Sequence, residues 1–113
     1  MADFKLQVKE IQAVTIIATE GYLNNEGGEM IYNLCTEKMS EGKIKFLLNL
    51  AGTKVVNSIG VSLVIEVIEK LQEVDGKIGY YNLSPIIAKT FNIMGLTKYS
   101  TIFETEDEAV NNL

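Results

Sequence analysis

The run Ile44-Lys45-Phe46-Leu47-Leu48-Asn49-Leu50 is almost continuously apolar, interrupted only by Lys45 and Asn49. Such a run marks a strand covered on both faces, which belongs inside a sheet and not at its edge. The chain therefore has to supply neighbouring strands on each side and helices to cover them.

The flanking sequence meets that demand. Apolar residues alternate with Lys5 and Gln7 from Phe4 to Val8, and Val14-Thr15-Ile16-Ile17-Ala18 is rich in β-branched residues, which predicts a two-stranded hairpin. From Asn24 to Ser40, Ile31, Leu34, Cys35 and Met39 recur at helical spacing. Asn24 or Asn25 is placed to cap this helix and Gly42 to end it, while Gly27 and Gly28 weaken its first turn by about 1 kcal/mol each relative to alanine. Val55-Val56 reads as a short extended segment, Ser58 to Val74 as the longest helix, Asp75-Gly76 as a turn and Ile78 to Leu83 as a strand. Ser84-Pro85 combines a cap with proline at the first helical position, opening a helix that stops at Gly95. Tyr99 to Phe103 predicts a last strand, and Thr105-Glu106-Asp107-Glu108 has capping-box spacing for a terminal helix ending near Leu113. The order β-β-α-β-α-β-α-β-α predicts an α/β fold: one domain over residues 1–113, with a mixed, mainly parallel sheet of about five strands and about four helices largely on one face.

Composition narrows the chemistry. With 113 residues there is room for one core and no second full domain. The chain has no histidine, which removes the Ser-His-Asp triad, an imidazole base and histidine-ligated zinc, and a lone Cys35 permits no internal disulfide. No catalytic residue, metal ligand or cofactor is assigned. Ten Lys plus Arg against 15 Asp plus Glu, a net charge of -5, give no positive field for a nucleic-acid backbone. No run of about 18 apolar residues occurs, and Met1-Ala2-Asp3-Phe4-Lys5 has neither a basic nor an apolar leader character. A cytoplasmic protein without membrane insertion is the expectation. Cys35 falls on an apolar stripe and reads as packing, Tyr80 and Tyr81 as neighbours pointing to opposite sheet faces, and Asp107 and Glu108 as complements of a helix dipole.

The segment Val55-Val56-Asn57-Ser58-Ile59-Gly60 turns an extended stretch directly into the longest helix and puts a hydroxyl at its entrance. Ser58 can serve as a helix cap. It can also receive a phosphate, whose charge of about -1.5 to -2 is favoured at a helix N-terminus. Val61, Val64, Val67, Ile68 and Leu71 form the core stripe of this helix, whereas Ile59 and Leu63 point the other way, among Glu66 and Lys70. That pair, within a turn of Ser58, predicts an exposed docking patch that a nearby dianion would spoil.

Over essentially its whole length the chain resembles the STAS domain family of bacterial anti-sigma factor antagonists. Asn57-Ser58-Ile59-Gly60-Val61 is similar to that family's Asp-Ser-Ser/Thr-Gly motif, and Gly21-Tyr22-Leu23-Asn24, Asn82-Leu83-Ser84-Pro85 and Met94-Gly95-Leu96-Thr97-Lys98-Tyr99 match three further segments in order. The resemblance implies a non-enzymatic partner switch. Unphosphorylated, such a protein binds an anti-sigma factor that is also a serine kinase, which frees a sigma factor; phosphorylation by that kinase ends binding, and a metal-dependent serine phosphatase restores it. Carried over, the phosphorylation site is Ser58, and the partner-binding surface is Asn24, Asn57, Ser58, Ile59, Gly60, Ser62 and Leu63. Asn24 and Asn57 stand where the family carries acids, and Ile59 replaces a second hydroxyl. Two alternatives remain open: a STAS scaffold or accessory subunit of a signalling or transport complex, docking without phosphorylation, and a small-ligand or nucleotide sensor using the amides at Ser58 to Gly60. The latter lacks the glycine-rich phosphate loop and its lysine. Oligomeric state, pathway and cognate partners are not encoded in any motif.

Overall fold

The structure, a computed structural model, describes residues 3–113; Met1 and Ala2, the start of the expected 1–113 domain, lie outside the described residues. Strand β1 (Lys5–Ile11) pairs antiparallel with β2 (Val14–Glu20). The two-residue turn between them places Gln12 and Ala13 at φ 49° and 68°, the left-handed pair that matches the twist of a tight hairpin. Helix α1 (Asn25–Ser40) follows, then β3 (Lys45–Gly52), α2 (Ser58–Gln72), β4 (Lys77–Tyr81), α3 (Pro85–Ile93), a 3-10 turn at Leu96–Lys98, β5 (Thr101–Ile102) and α4 (Glu106–Asn112).

The sheet order is β1-β2-β3-β4-β5, with every pair parallel except the opening hairpin. The apolar run from Ile44 thus becomes the middle strand. Phe46, Leu48 and Leu50 face one layer, joined by Ile31 and Cys35 of α1, the Val61–Leu71 stripe of α2, and Ile87 and Phe91 of α3. Leu47 faces the other layer with Val14, Ile16, Tyr81 and Phe103, closed by Ala109 of α4. Three helices cover one face and the short α4 covers part of the other, so the expected one-sided distribution holds for all but the terminal helix. Tyr80 and Tyr81 divide between the two layers. The Tyr80 ring meets Phe91 edge-on at 5.0 Å, and its hydroxyl lies 2.9 Å from Ser100 Oγ.

Two expectations need correction. The last strand is two residues instead of Tyr99 to Phe103, because Ser100 Oγ donates to the carbonyl of Leu96 and completes the preceding turn. Gly27 and Gly28 are more than weak points in α1. Both are buried, and a Cβ on Gly28 would stand 2.7 Å from Leu63 Cδ1 and 3.0 Å from the Gly60 carbonyl, so Gly28 lets α1 lie directly against α2, while a Cβ on Gly27 would meet the Phe4 ring at 2.9 Å and the Tyr22 carbonyl at 3.0 Å.

Candidate functional site

Parallel strands send the helices back from one edge of the sheet, so α1 and α2 both begin beyond the carboxyl ends of β2 and β3. Two connecting loops meet there. The Gly21 N–H donates to the Gly52 carbonyl at 3.0 Å, the Leu23 N–H to Val55 at 3.0 Å, and the Asn57 N–H to Leu23 at 3.1 Å. This makes Leu23 and Val56 a parallel bridge outside the named strands. Beneath the second loop the hydroxyls of Thr19 and Thr53 lie 2.6 Å apart, both residues buried. A buried polar pair satisfied in this way fixes the loop where backbone bonds alone would allow sliding.

The two helix entrances have the same chemistry. Asn24 Oδ1 accepts from the Gly27 N–H at 3.0 Å, and Asn57 Oδ1 accepts from the Gly60 N–H at 2.8 Å. Asparagine is as good a cap as aspartate and leaves the site without the two carboxylates. The cap of α2 is therefore Asn57 and not Ser58, a correction to the capping alternative read from the sequence. Ser58 is the first helical residue and is exposed. Its hydroxyl stands beside the positive end of α2 with the capping position already filled.

The other expected surface residues divide by burial. Ile59 is 58% exposed, as its helical phase predicts, and Ser62 is exposed with its hydroxyl donating back to the Ser58 carbonyl at 2.7 Å. Asn24 and Asn57 are half-buried by their capping bonds. Gly60 is buried, and a Cβ there would lie 2.2 Å from the Leu23 carbonyl oxygen, so it shapes the site from below and offers no surface of its own. Leu63 is half-buried against Gly28, not free on the polar face; the 100° helical wheel places it outward, but it cannot register that a glycine on α1 brings a second helix up to it.

One element of the site has no sequence motif of its own. Tyr22 and Val55, 45% and 56% exposed, line an almost wholly apolar cleft of about 240 Å³ with Gly21, Gly52 and Lys54. An exposed β-branched residue in a loop, Val55, was the available signal. Of the amides at Ser58 to Gly60 that a small ligand would use, that of Gly60 is engaged by Asn57 Oδ1. Among the described residues no group of three or more acidic or cysteine side chains could hold a metal ion. Nor is any helix among them long and apolar enough to cross a membrane. Cys35 is buried in the core, and burial pushes its thiol up to about 12, away from the reactive thiolate.

A family model described as STAS domain matches residues 5–109. A Bordetella bronchiseptica protein named as an anti-sigma factor antagonist, BtrV, is 22% identical over 105 residues, spanning 93% of this chain and 90% of BtrV. The Bacillus cell fate determinant SpoIIAA, solved in its phosphorylated form, superposes with a TM-score of 0.74 at 25% identity, covering 95% of this chain and 97% of SpoIIAA. A Thermotoga maritima protein described as an anti-sigma factor antagonist gives a TM-score of 0.85 at 16% identity, over 94% of this chain and 92% of its own, a likeness of fold.

Proposed function

Since the chain belongs to the STAS domain family, among anti-sigma factor antagonists, we propose that it is a cytoplasmic partner switch whose state is written on Ser58. Without phosphate it binds an anti-sigma factor that is also a serine kinase and so frees a sigma factor. That kinase phosphorylates Ser58 and the complex separates; a metal-dependent serine phosphatase resets it. The chain contributes binding and an acceptor hydroxyl, and performs no catalysis itself.

The observation that carries this reading is the exposed hydroxyl of Ser58 on the first residue of α2, relieved of capping by Asn57. A phosphate there adds charge where the helix dipole favours it, so the fold accepts the modification. The partner is affected instead. Ser58 adjoins Ile59, and the loop preceding it carries Val55 beside Tyr22, so the docking surface has apolar anchors next to the acceptor. A dianion set at the rim of such a surface keeps its water and opposes the desolvation that binding requires. Asn24, Asn57 and Ser62 supply neutral polar contacts around the anchors, while Gly60 and Leu63 hold α2 in place.

Ser58→Asp tests the reading by titration calorimetry against the anti-sigma factor. The expected result is a native thermal midpoint with affinity reduced about tenfold or more, the equivalent of about 1.4 kcal/mol. Unchanged affinity would reject the switch. The exposed Ile59 in place of a second hydroxyl favours one other reading, a docking subunit that is never phosphorylated. That reading predicts stable complexes in which Ser58 stays unmodified.

A further inference from the structure

Strand β1 closes one side of the sheet, and among the described residues no strand lies beyond it. Ile11 and Val14 close a two-residue hairpin turn, so they exchange hydrogen bonds with each other, and antiparallel alternation repeats that exchange at Lys9, Gln7 and Lys5. The N–H and C=O groups of Leu6, Val8 and Glu10 therefore point away from β2. Edge strands are ordinarily protected by shortness, bulges, proline or free charge. The opposite edge, β5, is two residues long, whereas β1 runs for seven in unbroken register, contains no proline, and has Val8 at its centre 42% exposed. Its central charges are already engaged within the molecule: Lys9 reaches Glu106 of α4 at 3.2 Å, and Glu10 reaches Lys43 at 3.2 Å.

We propose that β1 pairs antiparallel with β1 of a second copy about a two-fold axis through Val8, joining two five-stranded sheets into one continuous sheet. The strand itself sets the register. Its outward residues are centred on Val8, so the rotation puts Val8 opposite Val8 and Leu6 opposite Glu10, and every outward N–H and C=O finds a partner. On the other face Lys9 stands opposite Gln7 and Lys5 opposite Ile11, so no like charges meet directly. An axis through Glu10 would set two glutamates face to face. An axis through Leu6 would carry Val8 beyond the strand, opposite Phe4, whose ring lies over Gly27. A two-fold contact needs a surface that matches itself, and this edge does so in both its hydrogen bonds and its charges, which selects a second copy as the occupant. The axis is perpendicular to the sheet, so the two Ser58 edges face in opposite directions, and both docking surfaces stay open whether or not Ser58 is phosphorylated. A contact confined to one strand and its flanks belongs to the small class of interfaces, below roughly 1,200 Å² in total, so the dimer is weak and fills at about 0.1–1 mM protein.

Amide hydrogen exchange followed by NMR, in dilute and in about millimolar protein, reads the edge residue by residue. The amides of Leu6, Val8 and Glu10 are expected to exchange freely when dilute and to slow about fivefold or more when concentrated, while those of Gln7 and Lys9 stay protected in both. Val8→Pro removes the central outward N–H and spares the bonds to β2, a position at which an edge strand accepts proline. This variant is expected to keep a native circular dichroism spectrum and to remain monomeric by sedimentation velocity over the range in which wild type passes from monomer to dimer. Lys9→Pro deletes an inward N–H and is expected to lower the thermal midpoint instead. A wild type that stays monomeric throughout, a dimer whose outward amides exchange as in the monomer, or a folded Val8→Pro that still associates would each overturn the pairing. Should Val8→Pro fail to fold, the wild-type exchange pattern decides alone.

Discussion

Asn57 and Ser58 are adjacent and do different work. Asn57 satisfies the Gly60 amide and sets the start of α2, while the Ser58 hydroxyl is left to face outward. Asn57→Ala is therefore expected to lower stability by about 0.5–2 kcal/mol, and Ser58→Ala to leave it nearly unchanged. Chemical denaturation of the two variants checks this, and the reverse ranking would return the cap to Ser58. The sequence allowed Ser58 either role, since a hydroxyl at a helix entrance is compatible with both; only the 2.8 Å bond to the preceding side chain separates them. Cys35, by contrast, was legible from spacing alone, because a residue on an apolar helical stripe has one place to go.

At the scale of elements, the site depends on how closely two helices approach. Gly60 of α2 rests on the backbone of residues 23–24, and Gly28 of α1 receives the Leu63 side chain. Gly60→Ala would drive a methyl group to 2.2 Å from the Leu23 carbonyl. Relief requires α2 to shift, at a cost of about 1–3 kcal/mol or more. Thermal denaturation should show a clear loss; a midpoint within experimental error of wild type would mean that the loops yield without strain. Hydrophobic periodicity revealed α1 and α2 with their core faces, and capping residues marked α3 and α4, but neither signal could reveal this seam, because a glycine in a helix looks like a weakness until its neighbour is known. Leu63 was misplaced for the same reason. A second inter-element contact carries a pH dependence. The Tyr81 hydroxyl of β4 donates to Glu106 of α4 at 2.8 Å, and Lys9 of β1 lies 3.2 Å from the same carboxylate. The Tyr81 bond, helped by Lys9, holds the Glu106 carboxyl below its ordinary value of 4.5; burial, with Glu106 beside it, pushes Tyr81 up to about 12. A carboxyl lowered in the folded state stabilises fully above its unfolded pKa, and that contribution disappears as pH falls through the folded value. Thermal midpoints should thus decline below the ordinary glutamate range, and Tyr81→Phe should flatten this part of the decline. An identical acid profile in the variant would show that the α4 contact contributes no linkage.

For the molecule as a whole, strand order and helix placement follow from a few local signals. The doubly covered strand at Ile44 to Leu50 had to be central, the opening hairpin had to be antiparallel, and each later strand was separated from the next by a helix long enough to cross over. The departure of α4 to the other face was not legible, because seven residues with one buried alanine carry no periodicity that names a face. Likewise, the cleft at Tyr22 and Val55 arises from two loops distant in sequence, and no motif spans them. What the architecture achieves is the presentation of α1 and α2 side by side, with their capped entrances and Ser58 at one edge of a rigid sheet. The most direct measurement is intact-mass spectrometry of the chain incubated with ATP, magnesium and each serine-kinase anti-sigma factor of its source organism, alongside Ser58→Ala. A partner switch gains one phosphate from its cognate kinase, absent in Ser58→Ala. No phosphate from any of these kinases, with stable complexes still seen by gel filtration, would contradict the switch and leave a docking subunit.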